Sequence, residues 1–101
     1  MLTDYRDSGS VVFEAGSRLE RIGGYAFYHC SSLSSIAIPK GVTIIEEDAF
    51  MSDKNLVSIT FGTDSQLTAI GKNAFSGCSS LGSIVIPKGV TTIGENTFRA
   101  C

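Results

Sequence analysis

Tryptophan is absent from this chain of 101 residues, proline occurs twice, histidine once and cysteine three times. Three cysteines are an odd number and too few for a disulfide framework, so cysteine usage leaves the redox compartment open. They also lack the close pairwise spacing of a zinc site. A lone histidine, His29, supplies one base or one ligand, and neither a catalytic triad nor a metal centre works with one. Charged residues are sparse at 18%, and the net charge is −2. The basic residues, from Arg6 to Arg99, never run together, which removes the clustered positive surface that nucleic-acid binding requires. No apolar run is long enough to span a bilayer, and no apolar stretch follows a basic start at Met1–Arg6, so this chain shows no secretory signal. There is no phosphate-cradling glycine loop, no G-x-S-x-G elbow and no N-x-S/T acceptor. Enzymatic activity, a cofactor and a metal are therefore not expected, and neither is membrane insertion.

What remains is apolar enough to fold. Hydrophobic residues make up 43% of the chain, well outside the composition of a disordered segment, and the length suits one domain. The dominant feature is internal repetition. Phe27, Phe50, Phe75 and Phe98 recur at a nearly constant interval, the middle one slightly longer than the outer two. Ile22, Ile45, Ile70 and Ile93 keep the same intervals, as do Leu33, Leu56 and Leu81. The alternation makes the full period a pair of units, one shorter and one longer, and residues 10–53 match about half of 58–101 without a gap. Cys30-Ser31-Ser32-Leu33 returns as Cys78-Ser79-Ser80-Leu81, and Ile38-Pro39-Lys40-Gly41-Val42-Thr43 returns as Ile86-Pro87-Lys88-Gly89-Val90-Thr91.

A period in the low twenties suits one coil of a leucine-rich solenoid and is too short for a helix-pair repeat. Within a coil, Leu33, Ile36 and Ile38 carry the in-out-in alternation of a short strand. Pro39 removes a backbone donor and Gly41 permits a turn, which ends it. Val42 and Ile45 point back inward. The segment 46–50 is too short for a stable free helix, so a turn or a single helical turn is expected to send Phe50 inward. Each coil then buries its apolar set only against its neighbours. The longer units replace the Pro turn with Phe61-Gly62-Thr63-Asp64-Ser65-Gln66-Leu67 and, earlier, Phe13-Glu14-Ala15-Gly16-Ser17-Arg18-Leu19. These are expected to be small surface protrusions.

The pattern L-x-x-I-x-I-P-x-x-V-T-x-I-G/E-x-x-A/T-F-x-x-C resembles the BspA-like (treponemal-type) leucine-rich repeat, from about residue 8 onward. The resemblance implies an α/β solenoid: about four leucine-rich repeat coils over residues 1–101, with a short-stranded parallel sheet on one side. Turns or single-turn helices would cover the other. It further implies an adhesin-like protein-interaction segment, placed at the cell surface or outside the cell, with a protein partner. The chain departs from the family at Asp53, where a Cys is expected, and at Ser8, where the strand Leu should stand. Gly41, Asp64 and Gly89 occupy the place of the asparagine ladder found in ordinary leucine-rich repeats.

Two surfaces are candidates for contact. Along the strands the outward positions read Ser10/Val12, Ser35/Ala37, Ser58/Thr60 and Ser83/Val85, a small, smooth, uncharged face suited to a flat surface or another sheet. Tyr25, Tyr28 and His29 form a second, aromatic patch with polar tips on the outer side of one coil. The acidic run Glu46-Glu47-Asp48 is expected to be a solvated turn. The rung Cys30, Asp53, Cys78, Cys101 is expected to hold unbridged thiols at the coil corner, with Cys101 the reactive one. Finally, Ile93 and Phe98 are core types on the last coil with no polar segment after them, whereas Leu2, Asp7 and Ser8 give the first coil a partly polar start. The alternative function is thus a structural one, association through end coils, with a homodimer through the C-terminal coil the expected form.

Overall fold

The computed structural model describes residues 10, 11, 13 and 17–101. Ser8, Val12 and residues 14–16 of the first protrusion, with Leu2 and Asp7, lie outside the described residues. The coils stack through two parallel sheets. The first contains β1 (Ser10–Val11), β3 (Ser35–Ile38) and β5 (Ser58–Phe61), in that order. The second contains β2 (Arg21–Ile22), β4 (Ile44–Ile45), β6 (Ala69–Ile70) and β7 (Thr92–Ile93). Register follows the repeat: Ser35 faces Ser58 and Ile36 faces Ile59, while Ile22, Ile45, Ile70 and Ile93 form one row. In β3 the burial pattern alternates as the sequence requires, with Ile36 and Ile38 inside and Ala37 exposed.

No helix occurs among the described residues, so of the two expected forms the outer side takes the turn. The reason lies in where the backbone hydrogen bonds go. Ala26, Ala49 and Ala74 donate within their own turns, to Gly23, Glu46 and Gly71, while the neighbouring Phe27, Phe50 and Phe75 amides donate to Ala49, Ala74 and Thr97 on the next coil. His29, Ser52 and Gly77 do likewise, to Met51, Ser76 and Arg99. Every buried backbone donor must find an acceptor, and in these turns local and inter-coil acceptors alternate along the chain. The backbone reaches this arrangement by entering the left-handed region twice per coil. One such row is Tyr25, Asp48, Asn73 and Asn96; the other is His29, Ser52, Gly77 and Ala100. A left-handed residue cannot continue an α-helix. Close stacking also explains Gly71, where an added Cβ would lie 2.6 Å from the Glu47 amide nitrogen.

Inside, the phenylalanines form a continuous column. Phe27 on Phe50, Phe50 on Phe75 and Phe75 on Phe98 have centroid separations of 5.2, 5.2 and 5.8 Å and interplanar angles of 10° or less. Leu33, Leu56, Val42, Ile45, Leu67 and Ile70 pack beside it, fully buried. The last rung differs: Phe98 is 36% exposed and Ile93 47%. A buried Phe truncated to Ala loses about 3–5 kcal/mol, a large share of a stability of roughly 5–15 kcal/mol. Phe75→Ala, with a ring on each side, is expected to lose that amount by denaturant midpoint. Phe98→Ala, covered on one side, should lose less than half as much. Equal losses would show that the column does not act coil by coil.

Candidate functional site

The strand-side candidates fall into two groups. Ser35 and Ala37 lie on β3, in the middle of its sheet, where both main-chain edges are occupied. Ser58 and Thr60 lie on β5, the sheet's edge, and both are exposed. A fourth strand through Ser83 and Val85 is expected from the repeat, because Ser83-Ile84-Val85-Ile86 nearly duplicates β3. The structure corrects this: residues 83–86 do not enter the ladder, and Val85 is 84% exposed. Val57, which starts the β5 pairing by donating its amide to Ser34, is replaced at the equivalent place by Gly82. Glycine loses more freedom on being ordered into a strand. Ile84 and Ile86 are accordingly half-buried rather than enclosed.

The result is a cleft of about 800 Å³ between β5 and the 83–88 segment. One wall runs from Val57 through Thr60 to Ser65, the other from Ser83 to Lys88. The protrusion Gly62–Ser65 closes one end, held by its own turn: Asp64 is left-handed, and the Ser65 hydroxyl accepts the Leu67 amide at 3.3 Å. The walls are uncharged except at Asp64 and Lys88. Nothing in this lining is arranged for covalent or acid–base chemistry. What the cleft offers is a sheet edge whose main-chain groups face open space. Beside it stands the protrusion that follows the C-terminal end of β5.

Away from the cleft, the aromatic candidates are gathered at one corner. Tyr25 and Tyr28 are exposed and meet edge to face, with centroids 5.3 Å apart and planes at 80°. His29, also exposed, lies 6.0 Å from Tyr28. The acidic turn is not the solvated run expected. Glu46 pairs with Arg21 at 3.0 Å, Asp48 is buried, and only Glu47 is fully open to solvent. The Asp48 carboxylate, and then the charge of Glu47, push the Tyr25 phenol above its ordinary value.

The cysteine rung, Cys30, Cys78 and Cys101, contains no disulfide. The Cys78 and Cys101 thiols donate to the Phe50 and Phe75 carbonyls, each at 3.1 Å. Burial pushes Cys78 up to about 12, and Cys101, the most exposed residue of the three, is also raised by burial of its sulfur. Both shifts disfavour the reactive thiolate, which runs against the expectation that Cys101 is the reactive one. Asp53 replaces a thiol in this rung. It is wholly buried, one carboxyl oxygen accepts the Cys30 amide at 2.7 Å, and the other oxygen has no partner.

Burial pushes the Asp53 carboxyl up to about 7 although the Cys30 amide pulls it down. A folded-state value above the ordinary one means that the fold prefers the protonated form, so this contribution is full below about pH 4 and is lost as pH rises through 7. The loss is expected to be on the order of 2 kcal/mol between mildly acidic and mildly basic solution. Asp53→Asn, which keeps the shape and cannot ionise, should flatten that slope in denaturant titrations. An unchanged slope would assign the pH dependence elsewhere.

Residues 7–101 match the family model for the BspA type leucine rich repeat region, a region of six copies. Among curated proteins no match is found. Among solved structures, a leucine rich cell surface protein from Faecalibacterium prausnitzii A2-165 is 30% identical with a TM-score of 0.75, over 89% of this chain and 25% of that one. The T. pallidum leucine rich repeat protein is 27% identical with a TM-score of 0.57, over 80% of this chain and 48% of that one. The pneumococcal vaccine antigen PcpA, 21% identical with a TM-score of 0.51 over 90% of this chain and 40% of that one, shares the fold. The chain therefore spans between a quarter and about half of the length of these structures.

Proposed function

We infer that this chain, which belongs to the BspA-type leucine-rich repeat family, serves as a non-enzymatic, adhesin-like protein-interaction segment of a bacterial surface protein. The observation that carries the reading is the open edge of β5 beside an 800 Å³ cleft. Space of that size falls in the range of about 300–1,000 Å³ that binding sites occupy. An unpaired edge recruits an extended chain through main-chain hydrogen bonds, and pockets beside it select alternate side chains. The lining of Ser58, Thr60, Ser83 and Val85 suits an uncharged partner strand. The similarity to a protein described as a cell surface protein supports the location.

A second reading rests on the exposed Ile93 and Phe98 of the last coil. These side chains form the surface that an inner coil buries, so they favour stacking of coils, either end to end between two copies or with further coils of a longer chain. The acetylated peptide of residues 82–88 is the natural complement of β5 and serves as the probe. Added to isotope-labelled protein, it is expected to shift and protect the amides of Ser58–Phe61 first. Shifts elsewhere, or none with millimolar peptide, would rule the cleft out. Sedimentation of the unliganded chain separates the two readings. A mass that grows with concentration, and stops growing in Ile93→Asp, favours stacking, whereas a constant mass favours the cleft alone.

A further inference from the structure

The aromatic corner lies apart from the cleft and from the end coil, and neither function accounts for it. Its backbone is unusual within its own repeat. The left-handed row that begins at Tyr25 continues with Asp48, Asn73 and Asn96, and the row that begins at His29 continues with Ser52, Gly77 and Ala100. Asn and Asp tolerate that conformation and Gly adopts it freely, whereas an aromatic side chain does so against a steric cost. Tyr25 therefore occupies a disfavoured position, and it is exposed together with Tyr28. Tyr25 is 61% and Tyr28 47% exposed, so neither contributes a buried ring to the core.

Two exposed rings meet there edge to face, their planes at 80°. The carboxylates of Asp48 and Glu47 set a negative field at the Tyr25 ring. Glu46 is already neutralised by Arg21 at 3.0 Å, which leaves Glu47 as the exposed carboxylate beside the rings. An exposed π face attracts a cation, and a guanidinium in particular stacks flat on the ring while its N–H groups reach a carboxylate.

We propose that the corner of Tyr25, Tyr28 and Glu47 is a binding site for the guanidinium of an arginine displayed by a partner protein. Charge complementarity and ring geometry both select that group over a neutral side chain. The contact is a single anchor, so an isolated arginine binds weakly and a peptide or protein surface carrying it binds more tightly.

The probe is N-acetyl-arginine amide, with the neutral isostere N-acetyl-citrulline amide beside it, followed by the ring-proton and amide shifts of the intact chain. Arginine should perturb Tyr25, Tyr28 and Glu47 together and saturate in the millimolar range. Citrulline should bind roughly threefold to thirtyfold more weakly, the span expected of a cation on an aromatic face. Tyr28→Leu keeps the apolar bulk and leaves Tyr25 beside Asp48, and should weaken arginine by a similar factor. Glu47→Gln should weaken arginine and leave citrulline unchanged. Equal binding of arginine and citrulline, or arginine binding that survives both substitutions, overturns the proposal. Because Ser58–Phe61 report on the cleft and Tyr25–Tyr28 report here, failure of either site leaves the other's result intact.

Discussion

Registry between successive coils is the constraint on which everything else in this structure rests. A single coil has no interior of its own. Phe50 is enclosed because Phe27 and Phe75 stack on its two faces at 5.2 Å, and Ile45 is enclosed because Ile22 and Ile70 flank it in the second sheet. The backbone obeys the same rule. Just past the second-sheet strands, amides of later coils donate to earlier ones, as Glu46 does to Ile22 and Gly71 to Ile45. On the outer side earlier coils donate to later ones, as Phe27 does to Ala49. Removing one coil thus unsatisfies main-chain groups and exposes apolar surface at once, a nearest-neighbour energy of the kind repeat proteins show.

Function follows from where registry is satisfied and where it lapses. In the middle of the strand sheet both edges are paired, and the face at Ser35 and Ala37 is flat and chemically quiet. At β5 the ladder stops, and the edge and the cleft appear together. The two surfaces proposed for recognition are an edge left open by an unfilled rung and a corner where aromatic residues replace the usual small or polar ones. Asp53 shows the same logic inside the stack: an acid replaces a thiol in a rung that the neighbouring thiols fill as donors, and the fold accommodates it best with its proton on.

The ladders of Phe, Ile and Leu were legible from the sequence because their spacing is the coil length itself, and the strand side was legible because Leu33, Ile36 and Ile38 alternate. The second sheet was only half legible. Its two-residue strands have no alternation to read, although the row of Ile22, Ile45, Ile70 and Ile93 marks where it runs. The buried state of Asp48 was missed, since consecutive Glu46, Glu47 and Asp48 look equally solvated, and what distinguishes the last is its left-handed backbone and its amide bond to Lys72 on the next coil. The cleft was not legible at all. Ser83-Ile84-Val85-Ile86 and Ser35-Ile36-Ala37-Ile38 differ only at Val85 against Ala37, yet one segment pairs and the other stands off. The difference comes from what lies on either side of each coil and from Gly82, not from the strand's own propensity.

Native-state hydrogen exchange tests coil-to-coil dependence most directly, because it reads the opening free energy of each amide separately. The comparison sets the amides of Phe50 and Gly71, inter-coil donors that lie between covered coils, against Thr91, Gly94 and Arg99 on the last coil. Shared stability predicts protection that is highest at Phe50 and Gly71 and declines toward Gly94 and Arg99. Protection that is uniform along the chain, or highest in the last coil, would contradict it.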